Sequence, residues 1–254
     1  MPSSAPARRI EWRAARVIET RDETPHARTL VLDVPEWPGH HAGQHVDVRL
    51  TAEDGYQAER SYSIASAPSS RYLELTIERL DDGEVSPYLA DVVQPGDVFE
   101  LRGPIGGYFI WLPQLRRPLA LIAGGSGIVP LMAMLRLRAM LDDAPSAHLL
   151  YSVRSPEDVI YGAEIERLAA SDARLSVACT FTRRHAPDWN GYTRRIDRMM
   201  LEEAIPALGE SPLIYVCGPT SMVELAATEL VAIGHPPATI RTERFGPSGT
   251  NGNR

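Results

Sequence analysis

The chain contains no lysine: all 26 of its basic residues of the Lys or Arg type are arginine. Without a side-chain amine there is no Schiff-base chemistry, no pyridoxal anchor and no Walker-type phosphate loop. Any phosphate must be met by a guanidinium, a backbone N–H or a hydroxyl. Cysteine is almost as scarce. Cys179 and Cys217 are the only two, and neither has a second ligand at metal-like spacing, which excludes an intrinsic iron-sulfur cluster or a structural zinc site. The histidines do not replace them: His40, His41 and His45 cluster without further ligands and read as surface or structural residues, so no metal is expected. Long hydrophobic runs are also missing. Leu119–Ala123 and Leu213–Cys217 are five residues each, against the roughly 20 that a membrane span needs. Residues Met1 to Arg8 lack the apolar core of a signal peptide, so a cytoplasmic location is expected. The 33 acidic residues exceed the basic ones and leave a formal charge of -7 with no basic stripe, which argues against nucleic acid as a partner.

What is present has two different periodicities. From Glu11 to Pro104 short alternating segments rich in Val, Leu, Ile, Thr and Tyr predict six strands: Trp12–Thr20, Arg28–Val34, Gln44–Leu50, Arg60–Ala65, Tyr72–Arg79 and Asp97–Arg102. Turn signals such as Pro38-Gly39, Asp54-Gly55, Asp82-Gly83 and Pro95-Gly96 separate them. That pattern suggests an antiparallel barrel or sandwich. One helix is expected in this half, over Ser86–Val93, with Ser86 as its N-cap and Pro87 in its first position. After Pro113, apolar runs at Leu119–Ala123, Leu149–Val153, Leu175–Phe181 and Leu213–Cys217 alternate with helical segments such as Val129–Leu141 and Ala163–Ala170. Strands covered on both faces of a parallel sheet look like this. The expectation is an antiparallel β-barrel domain over 9–113, an α/β parallel-sheet domain over 116–247, and flexible ends at 1–8 and 248–254.

The clearest chemical signal is Gly124-Gly125-Ser126-Gly127-Ile128-Val129-Pro130, directly after an apolar run. Glycines at a strand-to-helix turn let a pyrophosphate approach the backbone and meet the free N–H groups of the helix start. Alone, this turn is equally a tight connection. Five further motifs stand beside it. Arg60-Ser61-Tyr62-Ser63 resembles the R-x-Y-S flavin motif of the ferredoxin-NADP reductase superfamily, and Gly83-Glu84-Val85-Ser86 the G-x-x-S that follows it. Gly103-Pro104-Ile105-Gly106 resembles the G-P-x-G that closes the barrel, Gly125 to Pro130 the G-x-G-I-x-P turn, and Cys217-Gly218-Pro219 the C-G-P. Glu243-Arg244-Phe245 resembles the acidic-x-aromatic ending. All six occur in family order over residues 10 to 247, and the bacterial branch lacking an iron-sulfur domain is the nearest likeness.

The resemblance implies a flavin-binding barrel followed by a nucleotide-binding domain, and it distributes roles. Tyr62 would lie against the flavin ring, Ser63 near its N5, and Arg60 on the pyrophosphate; Gly83, Val85 and Ser86 would take a further phosphate oxygen. Gly125, Ser126, Gly127 and Pro130, with Gly218 and Pro219, would cradle the nicotinamide dinucleotide. Cys217 would stand beside the nicotinamide, with Glu243 and Phe245 near the flavin. Those roles make Ser63, Cys217, Glu243 and Phe245 the expected catalytic residues. Thr182-Arg183-Arg184 resembles the Ser-Arg pair of NADP-selective members, Arg154 ends the preceding strand, and no acidic residue falls within Phe181–His185. NADPH is therefore expected, with NADH the alternative, and FAD the flavin. The implied activity is hydride transfer from NADPH to FAD and delivery of electrons to a separate acceptor such as a ferredoxin, haem or molybdenum protein. The rivals are a flavin-binding electron-transfer subunit that meets no free nicotinamide, and a non-redox module on the same scaffold.

Overall fold

The computed structural model describes residues 10–205 and 211–245. The expected flexible ends, 1–8 and 248–254, and the outermost residues of both expected domains lie outside the described residues. The first half is one six-stranded antiparallel sheet built from β1 (Trp12–Thr24), β2 (Ala27–Asp33), β3 (His45–Thr51), β4 (Gln57–Ser63), β5 (Leu73–Glu78) and β6 (Val98–Ile105). The spatial order is β4-β3-β6-β1-β2-β5, so β4 and β5 are its two edges. A single bridge between Ile64 and Leu75 brings those edges together and closes the sheet into a barrel. Its core is the alternate set Ala15, Val17, Leu30, Leu32, Val46, Val48, Ile64, Leu75, Ile77 and Leu101, as a period of two requires. β1 outruns its predicted end by four residues, and two register shifts, between Val17 and Glu19 and between Asp22 and Thr24, let it bend around the barrel.

The helical turn after β5 differs in kind from the expectation. Tyr88–Val92 is π-helical and Ser86 does not cap it. The Ser86 hydroxyl is turned back instead and accepts a hydrogen bond from the Leu80 N–H at 3.1 Å. It closes the Leu80–Ser86 loop rather than opening a helix.

The second half is a five-stranded parallel sheet in the order β11-β10-β7-β8-β9. Its strands are β7 (Leu119–Gly124), β8 (Ala147–Val153), β9 (Leu175–Phe181), β10 (Leu213–Pro219) and β11 (Ile240–Phe245), joined through α1 (Ile128–Ala139), α2 (Gly162–Ser171), α3 (Arg198–Ala204) and α4 (Thr220–Ala232). β7 is buried at every position because helices cover both faces. β11 was not evident from the sequence: only Ile240 of its six residues is fully buried, so it carries no apolar run. The chain runs outward from β7 through β8 to β9 and then returns to the other side of β7 with β10. The carboxyl ends of β7 and β10 therefore flank the point where the strand order reverses, the position at which open α/β sheets bind ligands.

The barrel and the parallel sheet share a core. Ala42, Ala65, Phe109 and Trp111 from the first half pack with the buried face of α1, from Ile128 to Leu135. α1 is apolar nearly all round because it is covered on both sides. Tyr215 and Arg241 both donate to the Ile110 carbonyl, and Tyr108 donates to that of Ile240, so the connecting segment is pinned to β10 and β11.

Candidate active site

Two backbone turns meet at the switch point. A Cβ on Gly127 would lie 2.1 Å from the Cys217 carbonyl oxygen, and one on Gly218 would lie 3.0 Å from the Gly124 backbone. Only glycine permits this approach. It brings the start of α1, preceded by the turn Gly125–Gly127, against Cys217-Gly218-Pro219. Pro130 sits in the first turn of α1, where its missing N–H costs no helical bond. Ser126 is half-buried at the lip of the turn.

Cys217 is fully buried and is paired in register with Glu243 on β11 and Ala123 on β7. Burial pushes its thiol far up, and the neighbouring Glu243 adds to the effect. Burial also raises the Glu243 carboxyl, to about 7. Its Oε2 is buried with no hydrogen-bond partner among the described residues. Phe245 closes the same strand opposite Pro219 and packs, half-buried, on the shared core.

The barrel contributes from the other side. Ser63 ends β4, is buried, and its Oγ has no partner among the described residues. Its cross-strand neighbour is His45, whose Nδ1 lies 4.0 Å from Glu243 Oε1. His45, read from the sequence as a surface or structural residue, is half-buried and stands between Ser63 of the barrel and Glu243 of the parallel sheet. Burial lowers its pKa, against a smaller opposing effect of Asp47. With one group pushed down and the other up, burial disfavours an ion pair between His45 and Glu243. The signal for His45 lay in its cross-strand pairing with Ser63, which no linear spacing reveals. His40, in contrast, is a satisfied structural residue between Trp37 and the Ser66 carbonyl.

Two buried orphan acceptors, Ser63 Oγ and Glu243 Oε2, are expensive unless a partner arrives. A flat ring with a polar edge supplies such a partner, and Tyr62 offers it a half-buried aromatic platform beside Ser63. Burial raises the Tyr62 phenol, which stays protonated. Further along β4, Arg60 is exposed and its guanidinium donates to Glu84 Oε2 at 3.3 Å. Gly83 and Ser86 flank that carboxylate in sequence, so the two flavin-type motifs meet in space. The Val85 side chain is buried in the barrel core, which leaves only its backbone for a ligand. Arg79 is already held by Asp91 and Asp81.

The arginines expected at a 2'-phosphate lie apart from this centre, beyond β8 and β9. The Arg154 carbonyl accepts from the N–H groups of Arg183 and Arg184, and Thr182 donates from both its N–H and its hydroxyl to the Val153 carbonyl. All three arginines are exposed; Arg184 lies 3.8 Å from Glu157, and Arg154 and Arg183 form no ion pair among the described residues. No helix among the described residues is long and apolar enough to cross a membrane.

An antiparallel barrel joined to a parallel sheet, with polar groups converging on the switch point, defines a two-domain flavin- and nucleotide-binding protein. The model of the oxidoreductase FAD-binding domain matches residues 14–110, and that of the oxidoreductase NAD-binding domain matches residues 121–228. The chain is 34% identical over 244 residues to ferredoxin-NADP reductase B of Sorangium cellulosum, covering 91% of this chain and 96% of that one. It is 30% identical over 236 residues to the glycine betaine monooxygenase reductase subunit of Chromohalobacter salexigens, covering 91% of this chain and 63% of the relative. Among solved structures, the FAD/NAD-binding domain of the nitric oxide dioxygenase of Vibrio cholerae superposes with a TM-score of 0.81 at 26% identity, over 92% of this chain and 99% of that one. The chain belongs to the ferredoxin-NADP reductase family. It spans only 58% to 63% of the length of several other curated relatives that it matches.

Proposed function

We propose that the protein is an FAD-dependent reductase that takes hydride from NADPH and delivers electrons to a separate protein acceptor. The observation that carries this reading is the convergence of Cys217 and Glu243 from the parallel sheet with Ser63 and His45 from the barrel, two of them holding unpartnered buried oxygens. Bound FAD would supply a two-electron acceptor able to return its electrons one at a time.

Around that group the chain's residues bind, orient and hold protons. Arg60 and the backbone after Gly83 meet the pyrophosphate; Tyr62 supports the ring. The Ser63 hydroxyl, without a partner among the described residues, would donate to the polar edge of the ring. Glu243, half protonated near neutrality, keeps a proton at hand in a region that excludes water. Cys217 remains a neutral thiol and fills the space beside the nicotinamide without competing as a nucleophile. Phe245, packed on the shared core at the end of β11, would border the ring. Gly125, Ser126, Gly127, Gly218 and Pro219 border the crevice for the dinucleotide, and Arg154, Thr182, Arg183 and Arg184 favour a 2'-phosphate over a bare ribose. NADH is the second substrate on this reading. The units proposed are 9–113 for the flavin and 116–247 for the nucleotide. Reduced nicotinamide is a cytoplasmic currency, and the cytoplasm is the proposed compartment.

A monooxygenase reductase subunit, a dioxygenase electron transfer component and a ferredoxin-NADP reductase among the relatives support an oxygenase component or a ferredoxin as acceptor. The test is anaerobic titration of the FAD-loaded protein with NADPH and with NADH, followed visually by loss of the yellow absorption. Bleaching at stoichiometric NADPH is expected. A protein that takes up FAD but is bleached by neither nucleotide is an electron-transfer subunit instead.

A further inference from the structure

Arg60 and Glu84 bridge the open seam of the barrel. β4 and β5 are the sheet's two edges; among the described residues they meet at the Ile64–Leu75 bridge and at the Ala65 N–H, which donates to the Glu74 carbonyl at 2.8 Å, and no pairing joins them beyond it. Arg60 stands on β4 and Glu84 on the loop that follows β5, so their contact at 3.3 Å crosses the gap. A third group orients the acid: the Tyr56 hydroxyl, from the β3–β4 hairpin tip, donates to Glu84 Oε1 at 3.0 Å. The remaining donation from Arg60 goes to the Glu59 carbonyl of its own strand. Arg79, the other arginine beside this loop, has two carboxylates of its own. Arg60 has one, and both partners are about half exposed. Exposed pairs of this kind are weak and readily exchanged.

We propose that Glu84 is a built-in anion that occupies the Arg60 guanidinium in the free protein and must yield it to the diphosphate of the incoming flavin. This rests on the reading above that Arg60 holds that diphosphate. Binding is then an exchange of one oxyanion for another. The displaced carboxylate, still tethered beside Gly83 and Ser86, opposes the phosphate charge that replaces it. Glu84 therefore holds flavin affinity below the level that Arg60 alone would allow, and it acts on the phosphate-bearing part of the ligand and not on the ring.

The test measures binding of FAD, and of riboflavin as a probe without phosphate, to the apoprotein by fluorescence quenching. The panel is the wild type, Glu84→Gln, Arg60→Ala and the double variant. Loss of an exposed ion pair and of a nearby like charge corresponds to a Kd for FAD about threefold to tenfold lower in Glu84→Gln. The gain is expected to shrink at high salt, to be absent for riboflavin, and to be smaller in the Arg60→Ala background, where only the like-charge repulsion is left to relieve. A weaker Kd in Glu84→Gln overturns the proposal, because Glu84 would then position Arg60 for the ligand. An unchanged Kd overturns it as well, while Arg60→Ala still weakens FAD binding and preserves the reading of the site. If Arg60→Ala binds FAD as the wild type does, the assignment of Arg60 to the diphosphate fails, and the proposal with it.

Discussion

Cys217 and Glu243 are direct partners across the parallel strands β10 and β11, and the carboxylate adds to burial in holding the thiol protonated. A buried neutral thiol is chemically inert, because the thiolate is the reactive species. Cys179, half-buried on β9, is also raised by burial but is the more accessible of the two. Brief alkylation of the native protein near pH 8 is therefore expected to label Cys179 before Cys217, with both labelled quickly only after denaturation. Peptide mass spectrometry reads the order. Rapid labelling of Cys217 in the folded protein would contradict the packing described at the switch point.

Glu243 makes the apoprotein's stability depend on pH in an unusual direction. In the unfolded chain a glutamate titrates at about 4.3, whereas in the fold it titrates at about 7. Below both values the group is protonated in both states and contributes no penalty. As pH rises through the interval the unfolded chain loses its proton first, so stability falls, and the full penalty is reached above pH 7. A shift of that size corresponds to at most roughly 4 kcal/mol, an upper figure because the side chain keeps 22% of its exposure. Glu243→Gln is expected to match the wild type near pH 4 and to be more stable at pH 8. Denaturant midpoints at the two pH values decide it, and parallel curves would show that Glu243 is not buried as an acid.

Gly127 permits the contact between the two turns, so Gly127→Ala cannot be accommodated locally. A Cβ 2.1 Å from a backbone carbonyl forces the turn or β10 to move, which overpacking costs place at about 1–3 kcal/mol. The expected outcome is a lowered Tm together with weakened NADPH binding. A variant with both properties intact would mean that the α1 turn and the Cys217 strand end do not touch.

These glycines also show what a linear reading can and cannot deliver. The fold class was legible because period-two segments and continuous apolar runs are local properties, and the motif glycines mark turns whose chemistry is local too. His45 was not legible, because its role arises from cross-strand pairing with Ser63 and from closeness to Glu243, almost 200 positions away. β11 was missed for a related reason: as an edge strand with one fully buried residue it has little apolar pattern to display. Ser86 misled because a serine before a proline suits a helix cap, yet here tertiary closure of the Leu80 loop claims its hydroxyl.

Arg183 and Arg184 are exposed and lie at the end of β9, so their replacement should leave the fold alone. Arg183→Ala with Arg184→Ala is expected to raise the KM for NADPH by roughly tenfold or more, since charge-assisted bonds to phosphate are lost, while the KM for NADH stays nearly constant. The ratio of the two kcat/KM values is the measurement. An unaltered ratio removes the 2'-phosphate from this pair.

Arg136 joins the two halves of the molecule more firmly than any motif residue. From α1 it donates to both Glu164 oxygens, at 3.0 and 2.6 Å, to Glu74 Oε2 at 2.7 Å and to the Ala65 carbonyl at 2.9 Å. Glu74 and Ala65 belong to the barrel; Glu164 belongs to α2. Its guanidinium also lies over the Tyr161 ring, whose hydroxyl shares a hydrogen bond with Thr76 of β5. The side chain keeps only 13% of its exposure and is the most buried cation of the cluster, in which Glu74 also meets Arg21 and Glu164 also meets Arg167 at 3.7 Å. Removing one partner from a buried ionic cluster costs up to about 3–5 kcal/mol, mostly as uncompensated charge, and Arg21 and Arg167 offset part of it here. Arg136→Met should therefore lower stability by that order, and adding Glu74→Gln and Glu164→Gln should recover a large part of it, because the stranded charges are then gone. Denaturant unfolding of the single and triple variants separates this from simple loss of packing, in which case the added substitutions would deepen the loss.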